Sequence, residues 1–137
     1  MGYYMEQFDQ DFRIPAPNKQ QAFDLLKQWE QKEIDKHPYL NDEYNRPLGK
    51  AMTLEDALAE LGWEAETDED GSIAQLCFTG EKLHDEDEWL DIMGPAVERG
   101  SKLMMRGEDG FHWCWYFDGE SCVDYPGEIV FPDMPEE

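Results

Sequence analysis

The sequence predicts a single α+β domain: a mainly antiparallel, twisted sheet of about five to six strands with helices packed on one face. Three observations carry this reading. Alternating apolar and polar residues recur between Asp-Gly turns, the pattern of hairpins covered on one side only. Segments near residues 19–34 and 84–100 instead space their apolar residues as helices do. Finally, 137 residues with 40% hydrophobic and 13% aromatic content suffice for one core and argue against disorder. The expected order is β-α-α-β-β-α-β-β-β over residues 1–132, followed by a mobile acidic tail, residues 133–137.

The opening YYMEQFDQDFRIP reads as a strand, with Tyr4, Phe8, Phe12 and Ile14 on one face and Asp9, Asp11 and Arg13 on the other. The same aromatics stand four apart, so a helix is the alternative. Pro15 and Pro17 end the segment. Asn18 then caps a helix whose apolar stripe is Ala22, Phe23, Leu26 and Trp29. Residues 36–52, rich in Pro, Asn and Gly, form a long loop. Thr53 with Asp56 resembles a capping box opening a short helix that bears Leu54, Leu58 and Leu61 and closes at Gly62.

A hairpin follows, WEAET-DEDG-SIAQLCF. A two-residue Asp70-Gly71 turn sets Trp63 opposite Phe78, Ala65 opposite Leu76 and Thr67 opposite Ala74. Glu64, Glu66 and Asp68 then share the polar face with Cys77, Gln75 and Ile73. HDEDEWLDIMGPAVERG reads as a third helix. Asp85 caps it, Glu86, Asp87 and Glu88 sit at the positive end of its dipole, Pro95 kinks it and Gly100 ends it. Three strands complete the sheet: SKLMMR, FHWCWYF and SCVDY. YPGE fits a type II turn before a brief edge strand, IVF.

Within FHWCWYF, Phe111, Trp113, Trp115 and Phe117 point one way and His112, Cys114 and Tyr116 the other. An Asp118-Gly119 turn sets Trp115 opposite Cys122, which places Cys114 and Cys122 on opposite faces, unable to pair. Lys102, Met104 and Arg106 are expected on the tryptophan face, as are Glu120, Cys122 and Asp124 across the other turn. Four aromatics make that face the natural core side. The flanking charges support the alternative, a partly exposed platform on which Trp113 and Trp115 anchor a partner.

Charge is the outlying property: 33 acidic and 11 basic residues, net −22. Residues 1–62 hold 12 acids and 7 bases, residues 63–137 hold 21 and 4. Such a chain repels nucleic-acid phosphates and anionic membranes and attracts basic proteins. The bland explanation is solubility or salt adaptation. No apolar run is long enough to span a membrane. The first residues lack the features of a secretory signal, and Glu6 stands where myristoylation needs Ser or Thr. Three cysteines without a disulfide framework suit a reducing cytoplasm.

Reaction chemistry is sparse. His112 and Cys114 share a face, but zinc needs four ligands and no tight second pair is nearby. Neither a metal nor any other cofactor is expected. ETDEDGSIAQLC aligns with a calcium loop through Glu66, Asp68, Asp70 and Gly71, but Cys77 stands where the bidentate Glu belongs. No glycine-rich phosphate loop, GxSxG or HExxH occurs, so no catalytic residue is assigned.

The MGYY start, the GEDGFHWCWYFDGE hairpin and the DYPGEIVFP close give the chain a layout that resembles small acidic proteins of bacteria and their phages. Toxin-immunity proteins and phage inhibitors of host defence are similar in size and charge. The resemblance carries over no functional residue; together with the charge it points to a non-enzymatic binding or inhibitor protein that occupies a basic site, one suited to nucleic acid, on a protein partner. The acidic surface expected to do so comprises Glu64, Glu66, Asp68, Asp70, Asp85, Asp87, Glu88, Asp91, Asp118 and Glu120. Two other classes compete. One is a small-ligand or catalytic pocket beside loop 36–52, using His37, Tyr39, Tyr44 and Arg46. The other is a structural subunit of an assembly.

Overall fold

The computed structural model describes residues 2–42 and 44–128. Ten elements follow the expected order with one addition: β1 (Tyr3–Asp11), α1 (Lys19–Lys36), α2 (Leu54–Glu60), β2 (Trp63–Thr67), β3 (Ile73–Phe78), β4 (Lys82–Leu83), α3 (Glu86–Met93), β5 (Lys102–Gly107), β6 (His112–Phe117) and β7 (Cys122–Pro126). The added β4 has two residues, too short to leave a periodic signal. Five strands form an antiparallel sheet in the order β4-β1-β5-β6-β7, and β2-β3 form a separate hairpin. The fold is α+β. The expected IVF strand and residues 133–137 lie outside the described residues.

The inner face of the five-stranded sheet buries Met5, Phe12, Leu103, Met105, Trp113, Trp115 and Phe117. Against it lie the α1 stripe, Ala22, Phe23, Leu26 and Trp29, and the α3 residues Trp89, Leu90 and Met93. Trp63 and Leu76 of the β2-β3 hairpin complete the same core. The outer face stays uncovered, with Tyr4, Phe8 and Tyr125 exposed.

Face assignments departed from strict alternation wherever one residue was inserted. In β1 the register against β5 shifts between Gln7 and Asp9. This bulge at Phe8 exchanges the faces of all that follows. Phe12 and Ile14 are therefore inside as expected, whereas Tyr4 and Phe8 are outside, and Met5 takes the core position. In the hairpin, Trp63 opposes Phe78 and Ala65 opposes Leu76, but a second shift pairs Thr67 with Ile73 instead of Ala74. Ile73 thus leaves the polar face and is fully buried.

Strand β5 differs most. Leu103 opposes Trp115 and Met105 opposes Trp113, so these two, not Lys102, Met104 and Arg106, share the tryptophan face. The cause is a three-residue loop, Glu108-Asp109-Gly110. Gly110 takes φ +82°, a conformation closed to most side chains, and the loop is closed by a Gly107 N–H bond to the Phe111 carbonyl of 2.8 Å. At the next hairpin the turn centres on Gly119-Glu120, with Gly119 at φ +99°. Trp115 consequently opposes Asp124, and Phe117 opposes Cys122. That is one pair later than expected, but the parity is unchanged. Cys114 and Cys122 stay on opposite faces, and all three cysteines are free.

Several termini also differ. The Asn18 side chain makes no cap bond and donates to the Ala96 carbonyl at 3.2 Å. Thr53 does cap α2, accepting the Asp56 N–H at 3.1 Å. Asp85 caps α3 by position only, without a side-chain bond. Pro95 lies in a 3-10 turn, Gly94–Ala96, that ends the third helix instead of bending it toward Gly100. The type II turn at YPGE does not form: Gly127 has no positive φ and donates to the His112 carbonyl at 2.8 Å, extending the β6-β7 ladder.

The hairpin joins the sheet by an unusual device. The β1 bulge turns both Gln7 and Gln10 inward, toward the backbone of β3. Gln7 donates to the Leu76 carbonyl at 2.9 Å and accepts from the Phe78 N–H at 3.0 Å, while Gln10 accepts from the Leu76 N–H at 3.3 Å. The two amides satisfy a strand edge that would otherwise be left with unpaired backbone groups. A reciprocal backbone pair between Ile14 and Ile73, at 3.0 and 2.9 Å, fixes the far end. Gln7→Ala strands two half-buried backbone groups and should lower the unfolding free energy by about 1–3 kcal/mol in urea titrations. Unchanged stability would mean that the Ile14-Ile73 pair alone holds the hairpin.

Candidate functional site

The acidic residues divide by what they touch. At the start of α3, three consecutive carboxylates each accept an indole N–H from a different element. Trp63 of β2 donates to Glu86 Oε2 at 3.1 Å, Trp115 of β6 to Asp87 Oδ1 at 2.9 Å, and Trp29 of α1 to Glu88 Oε2 at 3.4 Å. Glu86, not among the expected site residues, is 0% exposed and also accepts the His84 N–H at 2.6 Å. Burial pushes its carboxyl above the ordinary range, opposed by these two donors. One turn further on, Asp91 accepts the Cys122 N–H at 3.0 Å.

The hairpin acids are also partly committed. Arg13 pairs with Asp68 at 3.0 Å and with Asp70 at 3.4 Å, and Asp70 also accepts the Ser72 N–H at 2.8 Å. The turn that aligned with a calcium loop is thus organised around a guanidinium. Asp118 folds onto its own turn, accepting the Glu120 and Ser121 N–H groups at 2.9 and 2.8 Å. Those bonds hold its carboxyl below the ordinary value. Of the ten acids expected to form a docking surface, Glu64, Glu66, Asp85 and Glu120 are exposed without a side-chain hydrogen bond or ion pair to another described residue. Trp113 and Trp115 are not an exposed anchor: they are 6% and 1% accessible, buried because the β5 register brings Met105 and Leu103, not cations, beside them.

A different group does converge. Asp87, Asp91 and Asp124 stand close enough to Cys122 to add to the burial that pushes its thiol far above the ordinary value. Asp87 and Asp124 also line one cleft with Asp109, beside Tyr3, Phe111, Trp113 and Trp115. The Tyr3 hydroxyl donates to Asp109 and, through that bond, has its own pKa raised to about 12. Burial and the neighbouring Asp87 raise Asp124. No Lys or Arg pairs with any of these four carboxylates among the described residues. Asp109 was missed from the sequence; Asp124 was expected on the tryptophan face, where it lies opposite Trp115, and only the fold brings both beside α3.

Loop 36–52 leaves a cleft of about 420 Å³ against α1 and α3. His37 and Tyr39 line it together with Glu33, Glu60 and His84. Tyr44 does not, being 89% exposed, and Arg46 is turned toward Asn41 and Glu30. Buried Glu30 ties the loop to α1 by accepting the Leu48 N–H at 2.8 Å. Among the described residues no group of three metal-ligating side chains converges. All three thiols are pushed above their ordinary value, chiefly by burial, with nearby acids adding to it and Lys102 opposing it at Cys114, the reverse of what an activated nucleophile needs. No helix among them is long and apolar enough to cross a membrane. Comparison with protein-family models, curated proteins and solved structures finds no match.

The raised Glu86 pKa has a consequence for stability. The folded state holds this proton more tightly than the unfolded chain does. The contribution is therefore full below the ordinary value of 4.5 and is lost as pH rises through the raised one. Urea unfolding from about pH 4 to 8 should show the native chain losing stability relative to Glu86→Gln as pH rises. A difference that stays flat with pH would contradict the assignment.

Proposed function

We propose that this chain is a non-catalytic acidic binding protein that occupies a basic site on a protein partner. The observation that supports the reading is the convergence of Asp87, Asp91, Asp109 and Asp124 along the edge formed by α3, β7 and the β5-β6 turn, with no cation paired to them. Carboxylates so placed substitute for phosphates against Arg and Lys, and opposite net charge speeds the encounter. A site that normally holds nucleic acid has the required chemistry. A toxin-immunity protein or a phage inhibitor of host defence would work in this way. Three free thiols are suited to a reducing cytoplasm.

The reading narrows the docking surface. Asp68 and Asp70 are paired with the Arg13 guanidinium, and Glu88 and Asp118 do not line the convergent cleft. Glu64 and Glu66 belong to the hairpin and lie outside the convergent edge. A second reading, small-ligand binding, is favoured by the cleft beside loop 36–52, whose His37, Tyr39 and His84 supply polar groups over a partly apolar floor.

Capture from cell extract at low salt should recover a basic partner that elutes as salt rises. With that partner in hand, Asp124→Lys should slow association about tenfold, while Glu64→Lys should change it far less. Neutral or acidic partners only, or an association rate indifferent to Asp124→Lys, would contradict the proposal.

A further inference from the structure

The cleft that gathers three of these carboxylates has a wall chemistry of its own. It measures about 270 Å³, below the usual size of a cofactor site and suited to one side chain. Phe111 lies over Trp113 at 6.1 Å between centroids with an interplanar angle of 20°, and Phe111 remains 48% exposed. Tyr3 closes the other side, tilted against Trp113 at 6.1 Å. Around these rings stand Asp87, Asp109 and Asp124, and no Lys, Arg or His among the described residues lines the cleft.

The three acids are unequally occupied. Asp87 takes the Trp115 indole N–H, and Asp109 takes the Tyr3 hydroxyl and the Phe111 N–H at 3.0 Å. Asp124 accepts no hydrogen bond and pairs with no cation among the described residues. It lies within electrostatic reach of Asp87, a like-charge pair with no cation, beside the exposed Phe111 ring. The carboxylates are not disposed to share one metal ion. Rings and carboxylates together instead suit an organic cation that stacks and hydrogen-bonds at once.

We propose that this cleft receives one arginine side chain of a protein partner. The inference rests on the basic-partner reading and names the group that is read. Guanidinium is preferred to ammonium because its plane stacks on Phe111 while its fork reaches Asp124, and because it is more weakly hydrated than an ammonium. Binding removes the repulsion between Asp87 and Asp124 without disturbing the Trp115 bond.

The test is a titration of the full chain with Nα-acetyl-arginine amide, followed through the tryptophan indole N–H resonances. Saturable movement of the Trp113 and Trp115 signals in the millimolar range is expected, with none for the neutral isostere acetyl-citrulline amide. Asp124→Asn and Phe111→Ala, both at exposed positions, should each weaken binding about tenfold, and Glu64→Gln should leave it unchanged. Equal shifts with citrulline, or full affinity in Asp124→Asn, would overturn the proposal. Equal affinity for acetyl-lysine amide would overturn the choice of guanidinium. If Phe111→Ala still captures a basic partner with unchanged salt dependence, the cleft falls and the basic-partner reading stands. If arginine binds but no basic partner exists, the protein source falls instead.

Discussion

Three indole N–H groups ending on three successive carboxylates form the constraint around which the molecule is organised. A buried indole has a donor and no acceptor, and leaving it unpaired costs about 1–3 kcal/mol. Residues on a helix are separated by about 100°, so neighbours in sequence look in different directions. Glu86 therefore meets the β2-β3 hairpin, Asp87 the five-stranded sheet and Glu88 helix α1. One helical turn thus bonds to three parts of the fold at once. The same turn lies at the positive end of the α3 dipole, which favours charged acceptors there.

This arrangement changes what the acidity means. Sequence position groups residues 85–91 as one negative run, but most of that run faces tryptophans or backbone. Arg13 takes Asp68 and Asp70 into the hairpin turn, and Asp118 closes its own loop. Carboxylates that pair with no cation meet where distant segments converge. Asp124 from β7 and Asp109 from the β5-β6 turn come beside Asp87, and aromatic rings form the wall between them. An acidic cleft with aromatic walls is built there from residues that lie far apart in the sequence.

The helices and the hairpin partners Trp63-Phe78 and Ala65-Leu76 were legible because periodicity and Asp-Gly turns report local geometry directly. The faces of β1 and β5 were not. At Phe8 a single extra residue reverses alternation, and nothing in the residue types around it signals an insertion. At Glu108-Asp109-Gly110 a three-residue loop and a two-residue loop read alike, yet they place opposite sets of β5 residues on the core. The bonds of the Gln7 and Gln10 amides leave no local pattern, since only the docked hairpin gives them a partner. The site followed the same division. Asp87 and Asp91 were legible as acidic helix residues and Asp124 as a neighbour of the tryptophans, whereas Asp109, and the approach of both to α3, depend on non-local pairing that composition does not encode.

The central claim is that the α3 carboxylates serve the core before they serve any partner. Hydrogen exchange at the five indole N–H groups tests it most directly. The account predicts strong protection at Trp63, whose donor and acceptor are both fully buried, and clear protection at Trp115. Trp63 and Trp115 indoles exchanging as fast as one exposed to water would contradict it, and would return residues 86–88 to the solvent-facing acidic surface.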